Sequence, residues 1–364
     1  MKNDISFTPK TVDDLNHVYT YQLKLDKDKI STDVNANGKN WYLVGIDKND
    51  GQPDPTDPTV PDKEISTATE SIIKNHLFLF RSAYALTEMD TLHKRMSHIR
   101  TGDEKHGTWF RTLTGKVTSN ELGSDFRDSY YGIQAAYDYK KNNHLTGIVF
   151  NRKEDKTKNK NSNLDSITYG LGVYRSYDLK HDYYLDFIAK HLRIDNTFNV
   201  SKDGEEMKAT YKTWGQILSM ESGKYIYDKS HEYFIVPQAQ LQYNFLRGAK
   251  YTTSTGIKVK EKDSFSLLGR AGLYAGKNFK KSSHYLKTSL LHEFHGKQNI
   301  IISANDGQEE LTRKNSDTWL EIGISGEFNI KNDENIKIYY SLDKSFFRNF
   351  ENEWQCSLEF KLKF

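Results

Sequence analysis

The sequence predicts an all-β transmembrane fold: a 12-stranded antiparallel β-barrel, with an N-terminal α-helix in the pore. Beyond Gly107, twelve segments alternate polar and apolar residues, and they begin about 22 residues apart. A soluble β-sandwich repeats its turns roughly every 8–12 residues, whereas this spacing leaves room for strands of about 9–11 residues, enough to cross a bilayer. The last segment alternates up to the final residue, which also favours a barrel.

Composition excludes several other classes of protein. The 364 residues contain no run of 18 apolar residues, which excludes a helical membrane protein. The 23 Tyr and 19 Phe argue against disorder, and a net charge of +3 gives no reason to expect a nucleic-acid partner. Because Cys356 is the single cysteine, neither a disulfide framework nor a thiolate metal site is expected.

Residues 1–46 are polar and contain two strand-like runs, which begin at Tyr19 and Trp41. Residues 47–65 hold four of the six prolines, which is typical of an extended linker and a domain boundary. The N-terminus lacks the apolar core of a signal peptide. We therefore expect either a piece of a longer exported protein or a product that stays in the cytoplasm.

A long helix is predicted over residues 66–100, which contain neither Pro nor Gly. Ser66 or Thr67 could cap its N-terminus, and Glu70 falls in the first turn. Its apolar residues form no single stripe, so the helix either packs on a soluble core or is enclosed on all sides.

The barrel strands are predicted to occupy residues 101–364. They are expected to start at Trp109, Tyr130, Leu145, Ser166, Tyr183, Ala209, Phe234, Phe265, Tyr285, Trp319, Ile336 and Trp354. Residues 237–245 place Ala, Leu, Tyr and Phe on one face and Gln and Asn on the other. Aromatic pairs such as Tyr183-Tyr184 and Tyr339-Tyr340 suggest the girdles at the membrane surface. The lysine-rich residues 153–160 are interpreted as a solvated hairpin loop.

In the final strand, one predicted face is apolar and the other, with Glu359, Lys361 and Lys363, suits a wet lumen. The apolar face consists of Trp354, Cys356, Leu358, Phe360, Leu362 and Phe364.

These features together resemble the C-terminal translocator of autotransporters, the type V secretion family. The resemblance rests on the order of segments: residues 92–100 (LHKRMSHIR), 237–241 (PQAQL), 268–273 (LGRAGL) and the final strand. Residues 1–46 look like the end of a pertactin-type passenger, a region that often acts as an autochaperone in the family.

The resemblance implies a mechanism and partners. The barrel would insert in the outer membrane, export the N-terminal passenger to the cell surface and retain the helix as a plug in a hydrated lumen. It would meet outer-membrane lipid, its own passenger chain and the barrel-assembly machinery, and would be a monomer. The assembly machinery would recognise the apolar face of the last strand, with Trp354, Leu358, Phe360, Leu362 and Phe364.

Some members of the family cut their own chain between two adjacent Asn residues just before a segment like 92–100. Alignment on the pore-helix motif places Asp90-Thr91 at that position. The motif residues carried over are Leu92, Lys94, Arg95, Met96 and Arg100. In those relatives the first Asn attacks its own peptide carbonyl through its side-chain amide, a group that Asp90 lacks, so Asn-type autocleavage is not expected.

Two alternatives stay open at this point. One is a general porin, against which the linker and helix argue, and the other is an outer-membrane barrel enzyme. No nucleophile elbow, phosphate loop, dinucleotide fingerprint or zinc motif occurs, so no catalytic residue, cofactor or metal is predicted.

Overall fold

The computed structural model describes residues 11–26, 42–48, 64–88, 105–119, 126–330, 333–346 and 350–363. One α-helix, α1, spans Thr67–Glu88, and a short 3₁₀ turn spans Lys180–Asp182. The strands, in chain order, are β1 (Thr11–Val12), β2 (Tyr21–Asp26), β3 (Tyr42–Lys48), β4 (His106–Ser119), β5 (Phe126–Lys141), β6 (His144–Lys158), β7 (Ser162–Asp178), β8 (Tyr183–Lys202), β9 (Glu205–Lys224), β10 (Ile226–Tyr227), β11 (Tyr233–Leu246), β12 (Lys250–Thr252), β13 (Lys258–Glu261), β14 (Ser264–Asn278), β15 (Ser282–Glu293), β16 (Lys297–Ala304), β17 (Gly307–Lys314), β18 (Thr318–Ile330), β19 (Asp333–Phe346) and β20 (Phe350–Lys363).

Twelve of these strands form a closed antiparallel barrel, as predicted. In order around the barrel they are β4, β5, β6, β7, β8, β9, β11, β14, β15, β18, β19 and β20, and β20 pairs with β4 to close the sheet. Each begins within four residues of its predicted start. β1, β2 and β3 form a separate three-stranded antiparallel sheet. In the described part of the chain, no helix is long and apolar enough to cross a membrane.

The two faces of the barrel wall differ in chemistry. Outward-facing positions carry exposed aliphatic and aromatic side chains such as Phe150, Leu171 and Leu286, whereas inward-facing positions are buried and include many polar and charged side chains as well as apolar ones. β11 shows the pattern: Ala239, Leu241 and Tyr243 face outward, and Gln238 and Gln242 face inward. This arrangement suits a barrel with lipid outside and a polar interior.

Three details differ from the sequence prediction. The barrel strands contain 12 to 20 residues, longer than the 9–11 that a bilayer requires, so several extend beyond the membrane. Aromatic pairs do not both face lipid, because successive strand residues point to opposite sides: Tyr183 is exposed, whereas Tyr184 and Tyr339 are buried inside. Residues 153–158 are not a loop but the end of β6, which pairs with β5 and β7.

Loop length orients the barrel. Residues 142–143 and 279–281 are short turns at one end, while residues 247–263 and 294–317 are long hairpins at the other. Outer-membrane barrels place short turns in the periplasm and long loops outside the cell. We therefore name the two ends periplasmic and extracellular; β4 begins, and β20 ends, at the periplasmic end.

The seam between β4 and β20 is held by a buried ion pair. Arg111 lies directly opposite Glu359, and its Nη2 is 2.8 Å and its Nε 3.0 Å from one carboxylate oxygen. Both side chains are almost wholly buried. On the outer face of the same seam, half-exposed Lys116 is paired with Glu353 at 2.8 Å.

We expect Arg111→Met to lower the free energy of unfolding of the barrel by about 3–5 kcal/mol, because it leaves the Glu359 carboxylate buried without its cation. The double variant Arg111→Met/Glu359→Met should recover most of this loss. Lys116→Met, which breaks the half-exposed pair, should cost less than about 1 kcal/mol. The measurement is the fraction of heat-modifiable barrel across a denaturant series, and equal losses for the two single variants would contradict the assignment.

Candidate functional site in the barrel lumen

Helix α1 begins at the extracellular end, where its first turn is capped twice. Ser66 is the N-cap: its Oγ accepts a hydrogen bond from the Thr69 amide at 3.1 Å. Asp13, from the N-terminal segment, accepts hydrogen bonds from the Thr67 amide at 2.8 Å and the Thr67 hydroxyl at 2.6 Å. A carboxylate at this position also complements the positive end of the helix dipole.

Asp13 is held in its ionised form. Burial raises its pKa, but hydrogen bonds from Lys202 and Thr67 together with the charge of Lys202 outweigh burial, so the pKa lies below the usual 3.8. Lys202, at the tip of the β8–β9 hairpin, forms an ion pair with the same carboxylate. Asp13 therefore joins the N-terminal segment, the helix and the barrel wall at neutral pH.

The first half of α1 is enclosed by the wall. Every side chain over residues 71–79 is buried, so no face of the helix there meets bulk solvent. The apolar members belong to one cluster with inward-facing residues of the wall, which we call the collar. The collar consists of Leu113, Val117, Phe126, Tyr130, Leu164, Leu192, Ile194, Phe198, Val200, Met207, Ala209, Tyr211, Ile217 and Leu246.

The collar explains why the helix lacks a single apolar stripe. Ile72, Leu77 and Phe78 point in different directions, yet each packs in the same cluster, and the Phe78 ring stacks on Phe126 at 5.8 Å between centroids. The expectation that polar contacts surround the helix on several sides is therefore met only in part for this half of the helix. Apolar wall residues meet it on several sides, and Lys74, Asn75 and His76 are buried there as well.

One buried polar residue of α1, His76, contacts the long hairpins, whereas neither amide atom of buried Asn75 has a hydrogen-bond partner among the described residues. The Nδ1 of buried His76 lies 3.3 Å from Glu261 in β13, and the carbonyl oxygen of His76 accepts a hydrogen bond from Gln298 in β16 at 3.1 Å. Lys74 pairs with Glu70 one turn earlier. The two contacts of His76 fix the helix to the extracellular hairpins, in addition to its packing in the collar.

Elsewhere, buried charged and aromatic side chains line the lumen. Lys361 pairs with Asp138 at 3.6 Å, and Arg270 with Glu321 at 3.6 Å. Tyr184, wholly buried near the periplasmic end, donates to Glu221 at 3.0 Å. Further buried pairs join Lys287 to Asp343 and Lys337 to Glu327. These parts of the interior are therefore polar, unlike the collar.

Residues 11–20, which we call the mouth segment, lie across the extracellular hairpins. The Asp306 carboxylate, at the tip of the β16–β17 hairpin, accepts hydrogen bonds from the amides of Val18 and Tyr19 at 2.9–3.0 Å. The Tyr19 hydroxyl donates to the Gln308 carbonyl at 2.6 Å and Glu309 at 3.0 Å. Burial, and then Glu309, raises the pKa of Tyr19 to about 12, so this hydroxyl remains a donor.

Glycine is required beside this contact. Gly307 has a φ of +152°, and a Cβ there would lie 2.9 Å from the Tyr19 ring. A third hairpin also takes part, because Thr255 donates to the Leu15 carbonyl at 2.7 Å. Leu15 and Val18 are fully buried in the same cluster as α1. The mouth segment and α1 therefore form one packed unit across the extracellular end.

The site residues that the sequence singled out fall into two groups. Asp90 and Thr91 lie outside the described residues, as do Leu92, Lys94, Arg95, Met96, Arg100 and Phe364. Trp354, Leu358, Phe360 and Leu362 all face outward from β20, with 39–46% of their surface exposed. Among the described residues, no group of His, Cys, Asp or Glu could hold a metal ion. Asp13, Tyr19 and Asp306 were not predicted as site residues from the sequence.

Comparison with known proteins gives the family. The model of the autotransporter beta-domain matches residues 108–342. The pertactin autotransporter of Bordetella parapertussis is 27% identical over 260 residues, which cover 67% of this chain and 28% of that protein. Serine protease EspP of Escherichia coli is 23% identical over 313 residues, covering 82% of this chain and 23% of that protein. The chain thus spans about a quarter of the length of these curated relatives.

Solved structures share the fold. The translocator domain of the autotransporter NalP from Neisseria meningitidis has a TM-score of 0.67 at 12% identity, covering 79% of this chain and 97% of that one. The beta domain of the Bordetella autotransporter BrkA has a TM-score of 0.60 at 20% identity, covering 72% of this chain and all of the other. The family match extends over most of the barrel, and the chain belongs to the autotransporter beta-domain family.

Proposed function

We propose that this barrel carries its own N-terminal passenger through the outer membrane and that α1 and the mouth segment then close the pore. The observation that carries the proposal is the path of the chain. The mouth segment lies at the extracellular end, β4 begins at the periplasmic end, and α1 enters the lumen between them. A chain already exported through the barrel would be left in this position.

The enclosed helix argues against a general porin. A porin needs an open aqueous channel, whereas the extracellular half of this lumen is filled by the collar and α1. The contacts of Asp13, Tyr19 and Asp306 close the same end. Such contacts would hold a segment of the chain in place after export, and they have no role in the passage of a solute.

For the domain organisation, we propose that residues 1–46 are the end of the passenger and residues 47–65 a linker. Residues 66–100 would be the pore helix and residues 101–364 the barrel. β2 and most of β3, which pair antiparallel, lie in the first of these regions, and β3 continues two residues into the second, to Lys48. Paired strands here suit the edge of a β-structured passenger. The name serine protease EspP describes that whole protein, of which this chain matches 23%. We propose no enzymatic activity for this chain.

We further propose that the barrel is a monomer surrounded by outer-membrane lipid and inserted by the barrel-assembly machinery. The outward row of Trp354, Leu358, Phe360 and Leu362 supports a recognition role for β20, because an exposed apolar face at the closing strand is available before the barrel closes. Asn-type autocleavage is not proposed, since Asp90-Thr91 replaces the Asn pair.

Export can be tested by adding a signal peptide and an epitope tag before Met1 and treating intact Gram-negative cells with protease. We expect the tag to be lost while a heat-modifiable membrane fragment remains. A matched control carries the tag between Lys229 and Ser230, in a periplasmic turn, where it should survive. Protection of the N-terminal tag in cells with a heat-modifiable barrel would contradict the proposal.

The same cells also test autocleavage. Without protease the chain should remain full length, and a product cut at Asp90-Thr91 would contradict the absence of autocleavage.

The helix cap by Asp13 should depend on pH. Because the folded pKa is lowered, its stabilising contribution is present above the usual 3.8 and is lost as the pH falls through the lower folded value. Asp13→Ala at pH 6 should speed hydrogen exchange of the Thr67 amide roughly fivefold, the effect of losing about 1 kcal/mol of capping. Asp14→Ala is the matched control, since Asp14 accepts from the Asn16 amide and not from the helix. Equal exchange rates in the two variants would refute the role of Asp13.

A further inference from the structure

A groove runs along the lipid-facing wall of the barrel. It is a cavity of about 570 Å³ that spans β6, β7, β8, β9, β11 and β14. Its floor is Ala189, a small outward residue of β8 that stands between Val173 of β7 and Leu218 of β9. These two neighbours are 55% and 53% exposed, so they form walls on either side of the alanine. The groove therefore results from one small side chain placed between larger ones.

The groove starts near the periplasmic end of the barrel and runs deeper into the membrane. At one end, Thr146 lies two residues from the start of β6 and Arg175 three residues from the end of β7. At the other end, Leu241 lies eight residues from the start of β11, and Leu267 eleven residues from the end of β14. Because β6 and β11 begin, and β7 and β14 end, at the periplasmic end, the groove has one end near that surface and one within the apolar band.

Arg175 is the one charged residue among the described residues that line the groove. Its side chain is exposed, and its guanidinium carbon lies 5.0 Å from the ring centre of Tyr177. In the described part of the chain it forms no ion pair. Its outward neighbours are Thr146 opposite on β6, Phe187 opposite on β8 and Val173 next along β7. The positive charge therefore adjoins the apolar surface directly, with no carboxylate between them.

Charge complementarity identifies the occupant of the groove. A cation on the lipid face of an outer-membrane barrel is destabilising, and more so with depth, although a long side chain can extend its charge toward the surface. A phosphate would neutralise Arg175 and could accept two parallel hydrogen bonds from the guanidinium. A phospholipid carries its phosphate at the membrane surface and its acyl chains below, which is the order of Arg175 and the apolar groove.

We propose that the groove binds one phospholipid of the periplasmic leaflet, with its phosphate on Arg175 and an acyl chain over Ala189 between Val173 and Leu218. The position of Arg175 near the periplasmic end selects this leaflet. The phosphate is common to all phospholipids, so recognition does not require one particular headgroup. The proposal depends on the outer-membrane location of the barrel and not on export.

The test uses the full 364-residue chain, folded in detergent and checked by heat-modifiable migration. Bound lipid is measured by native mass spectrometry with palmitoyl-oleoyl phosphatidylethanolamine, and with the diacylglycerol that has the same acyl chains but no phosphate. Arg175→Gln removes the cation, and Ala189→Phe fills the floor of the groove. The matched controls are Lys344→Gln and Ala135→Phe, which make the same kinds of change at exposed outward positions that do not line the groove.

We expect phosphatidylethanolamine to bind the unaltered chain and both controls equally, and to bind Arg175→Gln at least tenfold more weakly. Ala189→Phe keeps the cation and should weaken binding at least fivefold, because the acyl chain loses its place. Diacylglycerol should bind the unaltered chain weakly, and Arg175→Gln should not weaken it further. Arg175→Lys and Ala189→Leu provide milder variants for the same comparison.

Three results would overturn the proposal. Equal phosphatidylethanolamine binding by Arg175→Gln and Lys344→Gln would remove the role of the cation. Equal binding by Ala189→Phe and Ala135→Phe would place the lipid elsewhere on the wall. Diacylglycerol binding as tight as that of phosphatidylethanolamine would leave only apolar contact.

Discussion

The structure depends on closing the sheet. In lipid, an unpaired strand edge would leave a row of amide and carbonyl groups without hydrogen bonds, so the first and last barrel strands must pair. In this chain β20 pairs with β4 along most of its length, and Arg111 and Glu359 add a buried ion pair to that seam. An even number of antiparallel strands then places the start of β4 and the end of β20 at the same, periplasmic end. A preceding segment that lies at the extracellular end can be connected to β4 through the lumen.

The side chains that line the lumen differ between the part around α1 and the rest of the barrel. Where α1 is described, the wall supplies apolar side chains from several strands, so a helix with Ile72, Leu77 and Phe78 on different faces is buried without a partner helix. Elsewhere the wall supplies ion pairs and hydrogen-bonded tyrosines, such as Lys361 with Asp138 and Tyr184 with Glu221. The hairpins above then hold the mouth segment through Asp306, Thr255 and Lys202. In these contacts the N-terminal segments and the wall are complementary, although neither amide atom of buried Asn75 has a hydrogen-bond partner among the described residues.

Much of the barrel could be predicted because strand alternation is a local property. The faces of β11 and β20 follow from residue order alone, and all twelve starts fall within four residues of the prediction. Strand ends were harder to predict: residues 153–158 look like a loop by composition but continue β6, because pairing with β5 and β7 outweighs local polarity. The prediction that adjacent aromatic residues form girdles at the membrane surface was wrong for a geometric reason, since neighbouring residues of a strand cannot both face lipid. The mouth contacts could not be predicted, because Val18 and Asp306 are 288 residues apart and nothing in either local sequence indicates the other.

The central claim is that α1 and the mouth segment close the pore of a barrel that is otherwise able to conduct. The most direct measurement is single-channel conductance in planar bilayers for the full chain and for a chain lacking residues 1–100, with heat-modifiable migration showing that both barrels are folded. We expect little conductance from the full chain and a large, steady conductance after the deletion. Equal conductance from two folded barrels would contradict it.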